Sequence, residues 1–363
     1  MKRKIWVGIL FGGKSAEHEI SLQSARNVVN ALDRKKYDVV LIGINKAGAW
    51  LASGVSERYL ALASNKPAKA PEKTREVVML APSGEGVLTR DSGTVEGKLD
   101  VVFPVLHGPF GEDGTVQGLL KLADVPFVGA GVLGSAVGMD KDVMKRLLRD
   151  AGIPTAKFVV VHSHEKIRFA DAKKKVGLPM FVKPANMGSS IGVSKARNEK
   201  EFTQALKTAF EYDTKVLVEE FIDGREIECA VLGNENPVAS VPGELVIKSE
   251  FYSYDAKYFD ADAMTPSIPA RLPTATIKKI QDLAVQTFKT LCCEGMGRVD
   301  SFVTKNGKVI VNEINTIPGF TNISMYPKMW EASGLPYAKL IDRLIALAIA
   351  RHKKEKKLKT SRT

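Results

Sequence analysis

Residues Gly297–Ser324, GRVDSFVTKNGKVIVNEINTIPGFTNIS, carry the pattern of a β-hairpin. Asn306 and Gly307 separate two runs of alternating apolar residues, and this dipeptide is a strong signal for a two-residue hairpin turn. With such a turn, Lys305 faces Lys308, and the pairing of the two strands follows by counting back from it.

The predicted register brings polar residues together on one face of the hairpin. Asp300 lies directly opposite Glu313, and Arg298 lies opposite Asn315. Since side chains two residues apart on a strand share a face, all four project from the same side. The other, core-facing side is predicted to carry Val299, Val303, Ile310 and Ile314.

Asp300 and Glu313 form a candidate metal site. Two carboxylates directly opposite one another, with β-carbons about 5 Å apart, repel each other unless a positive group lies between them. Together with the amide oxygen of Asn315 they are hard ligands, which suit Mg2+ holding nucleotide phosphates better than zinc or copper. The hairpin alone leaves open the alternative of a solvent-facing polar strand.

The composition is that of an ordinary soluble globular protein. The chain has 363 residues, of which 44% are hydrophobic and 26% charged, and this length accommodates two or three domains. No apolar run reaches the roughly 18 residues that a membrane helix needs. The beginning, MKRKIWVGILFGGK, reads as a first β-strand, because its apolar run ends without the small-residue cleavage site of a signal peptide.

The cysteines favour a reducing compartment. The chain has three, two of them adjacent, and their spacing makes neither a disulfide framework nor a metal site: Cys229, Cys292 and Cys293. We therefore expect a cytoplasmic protein.

The net charge of +12 raises the question of nucleic-acid binding. The last residues, 351–363, hold seven Lys or Arg and one Glu, which is half of this excess. A basic tail of this kind is typical of a frayed, solvated helix end. No interleaving of aromatic and basic residues and no nucleic-acid-binding signature occurs elsewhere, so we expect no nucleic-acid partner.

The first part of the chain alternates strands and helices, which favours an α/β fold with a parallel sheet. The predicted strands are Lys4–Phe11, Tyr37–Ile44, Val77–Leu80 and Leu99–Leu106, and a helix containing Ile20, Val28 and Leu32 follows the first of them. Polar turns come after the first and last of these strands, at residues 12–17 and 107–114. Ligands of parallel sheets bind at such carboxyl ends.

Gly8–Ser15, GILFGGKS, matches the Walker A string of P-loop nucleotide-binding proteins. In a true P-loop the residues between the two glycines form an exposed loop, whereas Ile9, Leu10 and Phe11 belong inside the first strand. We therefore predict a tight strand-to-helix turn here, with Glu17 facing a ligand as the functional alternative.

A second unit is predicted to begin at Asp140, which caps a helix that runs through Asp150. Strands are predicted at Lys157–Val161 and Met180–Lys183, then a loop over residues 184–190 and another strand from Ile191.

The loop over residues 184–190 is a candidate phosphate site. Its Gly188, Ser189 and Ser190 present amides and hydroxyls that can close over phosphate oxygens, although such turns are common. Lys183 is a stronger signal, because an apolar strand that ends on a charge favours an anion there. Lys141 is either a surface residue of its helix or a second phosphate contact.

The remaining elements are predicted around the hairpin: strands Val216–Ile222 and Gly224–Val231, helices around Leu283–Leu291 and Pro336–Ala350. Glu219–Ile222 lies between two units, where a planar base can rest against the backbone. Glu250–Pro269 is long, aperiodic and rich in tyrosine, which favours a lid rather than a disordered segment.

Eight motifs occur in the order and spacing of one enzyme family: FGGKSAEHEIS, LHGPFGEDG, GMDKDVMK, VKPANMGSSIGVSK, VEEFIDGREI, YDAKY, GRVD and NEINTIPGFTNIS. The chain resembles the D-alanine–D-alanine ligases of the ATP-grasp superfamily from its first strand to about residue 345. The resemblance implies an N-terminal parallel α/β domain (residues 1–139) and two α+β domains that clasp the nucleotide (140–219 and 220–350), followed by the basic tail.

The resemblance also implies roles for individual residues. It implies the catalytic residues Glu17, Ser189, Tyr258 and Arg298. It implies the ATP-binding residues Lys141, Lys183, Ser190, Glu219, Glu220, Phe221, Ile222, Glu226, Lys257, Phe302 and Asn312. It implies the D-alanine-binding residues Glu17, His107, Arg298, Gly319 and Ser324, and the metal ligands Asp300, Glu313 and Asn315.

The implied activity has two steps. ATP phosphorylates the carboxylate of one D-alanine, and the amine of a second D-alanine then attacks the acyl phosphate, giving D-alanyl-D-alanine for peptidoglycan precursors. The implied cofactors are ATP and two Mg2+ ions, with Mn2+ as a possible substitute, and the implied assembly is a homodimer. Tyr258 is expected to mark an enzyme that makes a dipeptide rather than one that uses D-lactate.

Two other function classes make different predictions. A P-loop NTPase would lose nucleotide binding on Lys14→Ala but not on Lys183→Ala. A non-catalytic basic binding protein would depend on residues 352–363, whereas a ligase would keep its turnover without them.

Overall fold

The computed structural model describes residues 3–62, 77–82, 84–247, 264–359 and 361–362. Up to residue 150 the elements are β1 (Ile5–Gly12), α1 (His18–Ala31), β2 (Tyr37–Ile44), α2 (Ser53–Leu62), β3 (Val78–Leu80), β4 (Val87–Arg90), β5 (Val95–Lys98), β6 (Val101–Val105), α3 (Thr115–Leu122), α4 (Val132–Met139) and α5 (Lys141–Asp150). None of the described helices has the length and apolar character needed to cross a membrane.

The rest of the chain adds a second series of elements. These are β7 (Phe158–His162), α6 (Phe169–Val176), β8 (Met180–Pro184), β9 (Ser194–Ala196), α7 (Glu199–Phe210), β10 (Lys215–Glu220), β11 (Gly224–Gly233), β12 (Val238–Ala239), β13 (Gly243–Ile247), β14 (Met264–Ser267), α8 (Thr274–Thr290), β15 (Gly295–Thr304), β16 (Val309–Asn315), α9 (Met325–Ala332) and α10 (Tyr337–Glu355).

A parallel sheet of order β2-β1-β6 forms the N-terminal part, as predicted. Strand β1 is apolar throughout because both of its faces are covered, and Val7, Ile9, Leu10 and Phe11 are all fully buried. The predicted membership of Val77–Leu80 in this sheet is wrong. Strand β3 instead pairs with β4 in a separate antiparallel sheet, since the short link between them allows a hairpin but not the crossover that parallel neighbours need.

The middle sheet is antiparallel, with the order β7-β10-β8-β9. Helices α6 and α7 cover it, and Val182, Phe202 and Val216 belong to their shared core. The strand predicted from Ile191 begins only at Ser194. The chain turns before it, because Ser189, Ser190 and Gly192 have positive φ angles of 50°, 59° and 70°.

The largest sheet has the order β14-β13-β11-β15-β16, with β12 paired to β11. Its inner face packs on α8, where Val299, Val303, Val309 and Ile314 join Phe288 in one core cluster. The opposite face of β11, β15 and β16 is left to line a cleft.

The hairpin turn between β15 and β16 differs from the prediction. Thr304, not Lys305, faces Lys308, and the Thr304 amide donates to the Lys308 carbonyl at 3.0 Å. The loop therefore has three residues, and Gly307 supplies the left-handed conformation (φ 74°) that such loops place last.

A bulge then restores the predicted register where the polar residues lie. Strand partners pass from Ser301↔Val311 to Asp300↔Glu313, so that Asn312 is the extra residue on β16. Arg298 faces Asn315, as predicted. Ile310 was predicted on the core face. It instead pairs with Phe302, which lines the cleft, because the two strands return to the predicted register only after the bulge at Asn312.

The closing helix α10 extends to Glu355, beyond the predicted end at Ala350. Arg351 was predicted to start a solvated tail, but it is only 7% exposed. Its guanidinium donates to the carbonyl oxygens of Gly129 at 2.6 Å and Phe127 at 2.9 Å, which a frayed end could not do. The helix therefore continues because Arg351 anchors it to the N-terminal part.

The turn after β1 yields a stability prediction. Gly12 has φ 92°, and an added β-carbon would lie 2.2 Å from the Ile44 carbonyl oxygen. Gly48 has nearly the same φ, 93°, but open space around it. We expect Gly48→Ala to lower the free energy of unfolding by about 1 kcal/mol through backbone strain alone. Gly12→Ala should cost at least about 2 kcal/mol more, because the clash adds to that strain.

Urea denaturation of both variants and the wild type measures this difference. Equal losses for the two alanine variants would contradict the close approach of Gly12 to the backbone of β2.

Candidate active site

A single cleft of about 660 Å3 is lined by residues from the N-terminal part, the middle sheet and the largest sheet. All the predicted site residues within the described part of the chain line it: Glu17, His107, Lys141, Lys183, Ser189, Ser190, Glu219, Glu220, Phe221, Ile222, Glu226, Arg298, Asp300, Phe302, Asn312, Glu313, Asn315, Gly319 and Ser324. Lys257 and Tyr258, and most of the predicted lid, lie outside the described residues.

Three carboxylates form a row across three neighbouring strands. Asp300 on β15 pairs with Glu228 on β11 on one side and with Glu313 on β16 on the other. We call Glu228, Asp300 and Glu313 the acidic row. The sequence analysis missed Glu228, although it lies two residues after Glu226 and therefore on the same face of its strand.

Arg298 balances two members of the acidic row. Its guanidinium grips Asp300 with two hydrogen bonds of 2.8 and 2.7 Å, and its Nε lies 3.1 Å from a Glu228 oxygen. Burial would lower the pKa of Arg298, but Asp300 and Glu228 hold it well above its usual range. The guanidinium is therefore a fixed positive group in the wall of the cleft.

The oxygen ligands in the cleft fit Mg2+. The amide nitrogen of Asn315 donates to Asp300 at 2.9 Å, which leaves the amide oxygen as the atom that faces a cation. Carboxylate and amide oxygens are the donors that Mg2+ takes, together with water and phosphate oxygens. Among the residues that the structure describes, no group of three or more His, Cys, Asp or Glu side chains is placed to hold a metal ion.

A buried carboxylate joins two lysines at the other side of the cleft. Glu219 contacts Lys183 with one oxygen and Lys145 with the other. Burial would raise the pKa of Glu219, but the two lysines lower it below its usual value. Burial lowers the pKa of Lys145, which is fully enclosed.

Lys145 is a residue that the sequence analysis missed. It lies four positions after Lys141 on α5, so the two lysines share one helix face, and this spacing was the available signal. Lys145 ends the quoted motif GMDKDVMK, but its partner Glu219 comes from β10, so the sequence alone did not show the pairing.

Lys141 lies in the cleft, not on the surface of its helix. It is only 8% exposed, and its amine donates to the Met187 carbonyl at 2.7 Å. The same amine lies 3.5 Å from a Glu313 oxygen. Asp140 caps the helix with hydrogen bonds from the amides of Asp142 and Val143, as predicted, and so directs Lys141 inward.

Residues 187–190 cross the cleft towards the N-terminal part. The Ser189 hydroxyl donates to the Glu17 carboxylate. Ser189 and Ser190 both adopt left-handed φ angles, 50° and 59°, which cost non-glycine residues of order 1–3 kcal/mol each and are concentrated at functional loops.

The walls near β10 present rings and backbone. The ring centroids of Phe181 and Phe221 lie 6.1 Å apart, and the Lys195 amine lies 4.4 Å from the centroid of the Phe221 ring. The Glu220 carboxylate accepts a hydrogen bond from the Lys157 backbone amide at 2.7 Å, so this side chain binds the segment that leads into β7. Glu226 pairs with Phe302 across β11 and β15, and both line the same end of the cleft.

The N-terminal wall contains His107 and a second carboxylate, Glu112, which the sequence analysis did not assign. Burial lowers the pKa of His107, so the neutral imidazole is favoured. Burial and the nearby Glu17 raise the pKa of Glu112 to about 8. Glu112 belongs to the polar turn after β6, and that position was the only signal for it.

The Walker-like string Gly8–Ser15 does not form a phosphate loop. Ile9, Leu10 and Phe11 are fully buried inside β1, as predicted, and Lys14 is exposed. The string therefore matches in letters but not in structure.

Family models cover most of the chain. The model described as D-ala D-ala ligase N-terminus matches residues 6–130, and the one described as D-ala D-ala ligase C-terminus matches residues 147–346. The chain belongs to the D-alanine–D-alanine ligase family. The resemblance drawn from the eight motifs is thereby confirmed.

Relatives within the family match over nearly the full length. A D-alanine–D-alanine ligase of Oceanobacillus iheyensis is 53% identical and covers 100% of both chains. D-alanine–D-alanine ligase A of Escherichia coli K12 is 52% identical over 99% of both chains.

Solved structures in the family share the fold. The D-alanine–D-alanine ligase of Coxiella burnetii has a TM-score of 0.85 at 42% identity, covering 98% of this chain and 97% of that one. The VanG D-Ala:D-Ser ligase of Enterococcus faecalis has a TM-score of 0.83 at 36% identity, covering 95% and 100%. The predicted α/β, ATP-grasp architecture is confirmed.

The buried pair of Lys145 and Glu219 yields a prediction. Lys145→Met should lower the free energy of unfolding by about 3 kcal/mol, because Glu219 would keep only one cationic partner while remaining buried. Arg146→Met is the matched control on the same helix. The Arg146 side chain is 58% exposed and, within the described part of the chain, its ion pair is with Asp142 four residues earlier, so its loss should cost less than about 0.5 kcal/mol.

Urea unfolding of the two methionine variants gives both values. A Lys145→Met protein as stable as the Arg146→Met protein would contradict the assigned pairing.

Proposed function

We propose that this protein joins two D-alanine molecules into D-alanyl-D-alanine at the expense of ATP, releasing ADP and phosphate, and so supplies a peptidoglycan precursor. The observation that carries the proposal is the acidic row, with Arg298 bound to it and Lys141 beside Glu313, in one cleft with Lys183. This arrangement can accept a metal-bound triphosphate next to a group that stabilises an oxyanion.

The nucleotide is proposed to lie between the middle and largest sheets. Lys141 and Lys183 neutralise its phosphates, and residues 219–222 present backbone to the adenine. Glu226 holds the ribose, and Phe302 and Asn312 complete the wall. A solved structure of a Bacillus anthracis D-alanine–D-alanine ligase complexed with ATP, 27% identical to this chain with a TM-score of 0.73, supports the choice of nucleotide.

Two Mg2+ ions are proposed as cofactors, with Mn2+ as a substitute. Asp300, Glu313 and Asn315 would hold them, since these are the hard oxygen donors of the cleft. When bound, the ions offset the charge of the transferring phosphoryl group. Ser190 and Ser189 cover that group from the opposite side.

The chemistry begins with the first D-alanine. Glu17 receives its ammonium group, with His107 beside it, and its carboxylate oxygen attacks the γ-phosphorus while the bond to ADP breaks. The product is D-alanyl phosphate. Closing the cleft over this intermediate excludes the water that would hydrolyse it.

The second D-alanine then attacks as a free amine. Gly319 and Ser324 bind it, and the new C–N bond converts the acyl carbon into a tetrahedral oxyanion. Arg298 stabilises that oxyanion. The nitrogen then loses one proton, which the leaving phosphate can accept, and the intermediate collapses as the C–O bond to phosphate breaks. The fixed position of Arg298 matters, because a preorganised donor lowers such a barrier by about 3 kcal/mol.

D-Serine is the second candidate for the second substrate, because the VanG D-Ala:D-Ser ligase is among the similar structures. We favour D-alanine, and Tyr258 in the YDAKY motif supports a dipeptide product over a D-lactate ester. We further propose a homodimer in the cytoplasm.

The decisive assay is phosphate release from ATP and Mg2+. We expect release that depends on D-alanine, together with D-alanyl-D-alanine as the product. L-Alanine should give only background release, and D-serine and D-lactate measure the breadth of the second site. ATP hydrolysis that is indifferent to D-amino acids would overturn the proposal.

Two lysine variants distinguish this site from a P-loop. Lys183→Ala should raise the Michaelis constant for ATP by about 10- to 100-fold, because a buried charge-assisted contact is worth roughly 1.5–3 kcal/mol. Lys14→Ala removes an exposed lysine and should leave that constant near the wild-type value. The opposite pattern in ATP titrations would favour the P-loop reading.

A further inference from the structure

We propose that Glu112 is a positioning residue for the second D-alanine: together with His107 and Ser24 it holds the loop of residues 316–324 in its working geometry. We call Glu112, His107 and Ser24 the substrate-loop clamp. The expected change in Michaelis constants rests on the proposed function, whereas the hydrogen bonds of the clamp do not depend on it.

The clamp satisfies both backbone polar groups of Ile317. The Ile317 amide donates to Glu112 Oε1 at 3.0 Å, and the Ile317 carbonyl oxygen lies 3.1 Å from His107 Nδ1. Ile317 is only 2% exposed, so these groups have little access to water. Leaving a buried amide or carbonyl without its partner is costly, so the contacts with Glu112 and His107 are strongly favoured.

The second arm of the clamp reaches Phe320. The Phe320 amide donates to the Ser24 hydroxyl oxygen at 3.1 Å, and Ser24 Oγ lies 3.5 Å from His107 Nε2. With His107 neutral and its proton on Nδ1, facing the Ile317 carbonyl, Nε2 is the acceptor for the Ser24 proton. Every donor in this series of hydrogen bonds, from Ile317 through His107 and Ser24 to Phe320, therefore meets an acceptor.

Glu112 also binds its own loop, which makes it a bridge. Its Oε2 accepts from the Gly108 amide at 2.9 Å, while its Oε1 holds Ile317. Both oxygens of a carboxyl group can accept, and the hydroxyl oxygen keeps a lone pair when the raised pKa leaves the group protonated, whereas a glutamine amide can accept at only one atom. Substitution by glutamine therefore breaks one end of the bridge in either orientation, with almost no change in shape.

A displacement of Ile317 would move the proposed second-substrate contacts. Gly319 packs so closely on Ser324 that an added β-carbon would lie 2.7 Å from its hydroxyl oxygen. The Thr321 amide donates to the same oxygen at 2.9 Å. The loop is thus internally connected, and its anchor at Ile317 sets the positions of Gly319 and Ser324 together.

The test compares Glu112→Gln with Asp113→Asn. Asp113 is the matched control, because its carboxylate accepts from the amides of Phe110 at 2.8 Å and Thr115 at 2.9 Å within the same turn. For Glu112→Gln we expect the Michaelis constant of the second, weaker D-alanine site to rise about tenfold, with that of the first site and of ATP near wild type. Asp113→Asn should leave all three constants near wild type.

Ser24→Ala provides a second variant should Glu112→Gln not fold. It removes the acceptor of the Phe320 amide and should raise the same constant about threefold. The proposal would be overturned if Glu112→Gln and Asp113→Asn changed the Michaelis constants equally. It would also be overturned if only the Michaelis constant for ATP or for the first D-alanine rose.

Hydrogen exchange separates this inference from the proposed function. Amides of residues 316–324 should exchange at least about tenfold faster in Glu112→Gln than in wild type or Asp113→Asn, whatever the enzyme's substrates. If wild type made no D-alanyl-D-alanine, the proposed function would fail, while selective fast exchange would still support the clamp. If the exchange rates of these amides in Glu112→Gln equalled those of the wild type, the proposed role of the clamp would be contradicted.

Discussion

The register between β15 and β16 is the constraint on which the cleft depends. Side chains alternate between the two faces of a strand, so a slip by one residue sends every ligand to the wrong side. The three-residue turn introduces such a slip, and the bulge at Asn312 cancels it before Asp300 meets Glu313. The bulge also places Asn312 and Glu313, two consecutive residues, along the same cleft.

Charge balance follows from that register. Positive side chains accompany the acidic row: Arg298 contacts Glu228 and Asp300, and Lys141 lies near Glu313. In the proposed function, the oxygens of Asp300 and Glu313 hold a metal cation on this side of the cleft. On the opposite side, Glu219 is outnumbered by Lys145 and Lys183, which favours an anion there. A metal-bound triphosphate satisfies both sides at once, because it carries both signs of charge.

The sequence predicted the parts of this structure that local patterns determine. The predicted strands Tyr37–Ile44 and Met180–Lys183 match the structure to within one residue, and a capping aspartate located the start of α5, because these features depend on neighbours in the chain. The partners of Glu112, Lys145 and Arg351 come from segments distant in sequence, so no local pattern could reveal them. The register near Asp300 and Glu313 was predicted correctly only because the longer turn and the bulge offset each other.

The loop of residues 316–324 shows most clearly that contacts between distant segments are not predicted by local patterns. Residues 316–324 join β16 to α9 without a regular backbone pattern, so their polar groups need partners from outside the loop. Those partners are side chains near the start of the chain, and the contact from Ile317 to Glu112 spans 205 residues. The proposed site for a second amino acid therefore exists only when both parts of the chain pack together. On that proposal, the choice of second substrate depends on this packing as well as on the residues that touch the substrate.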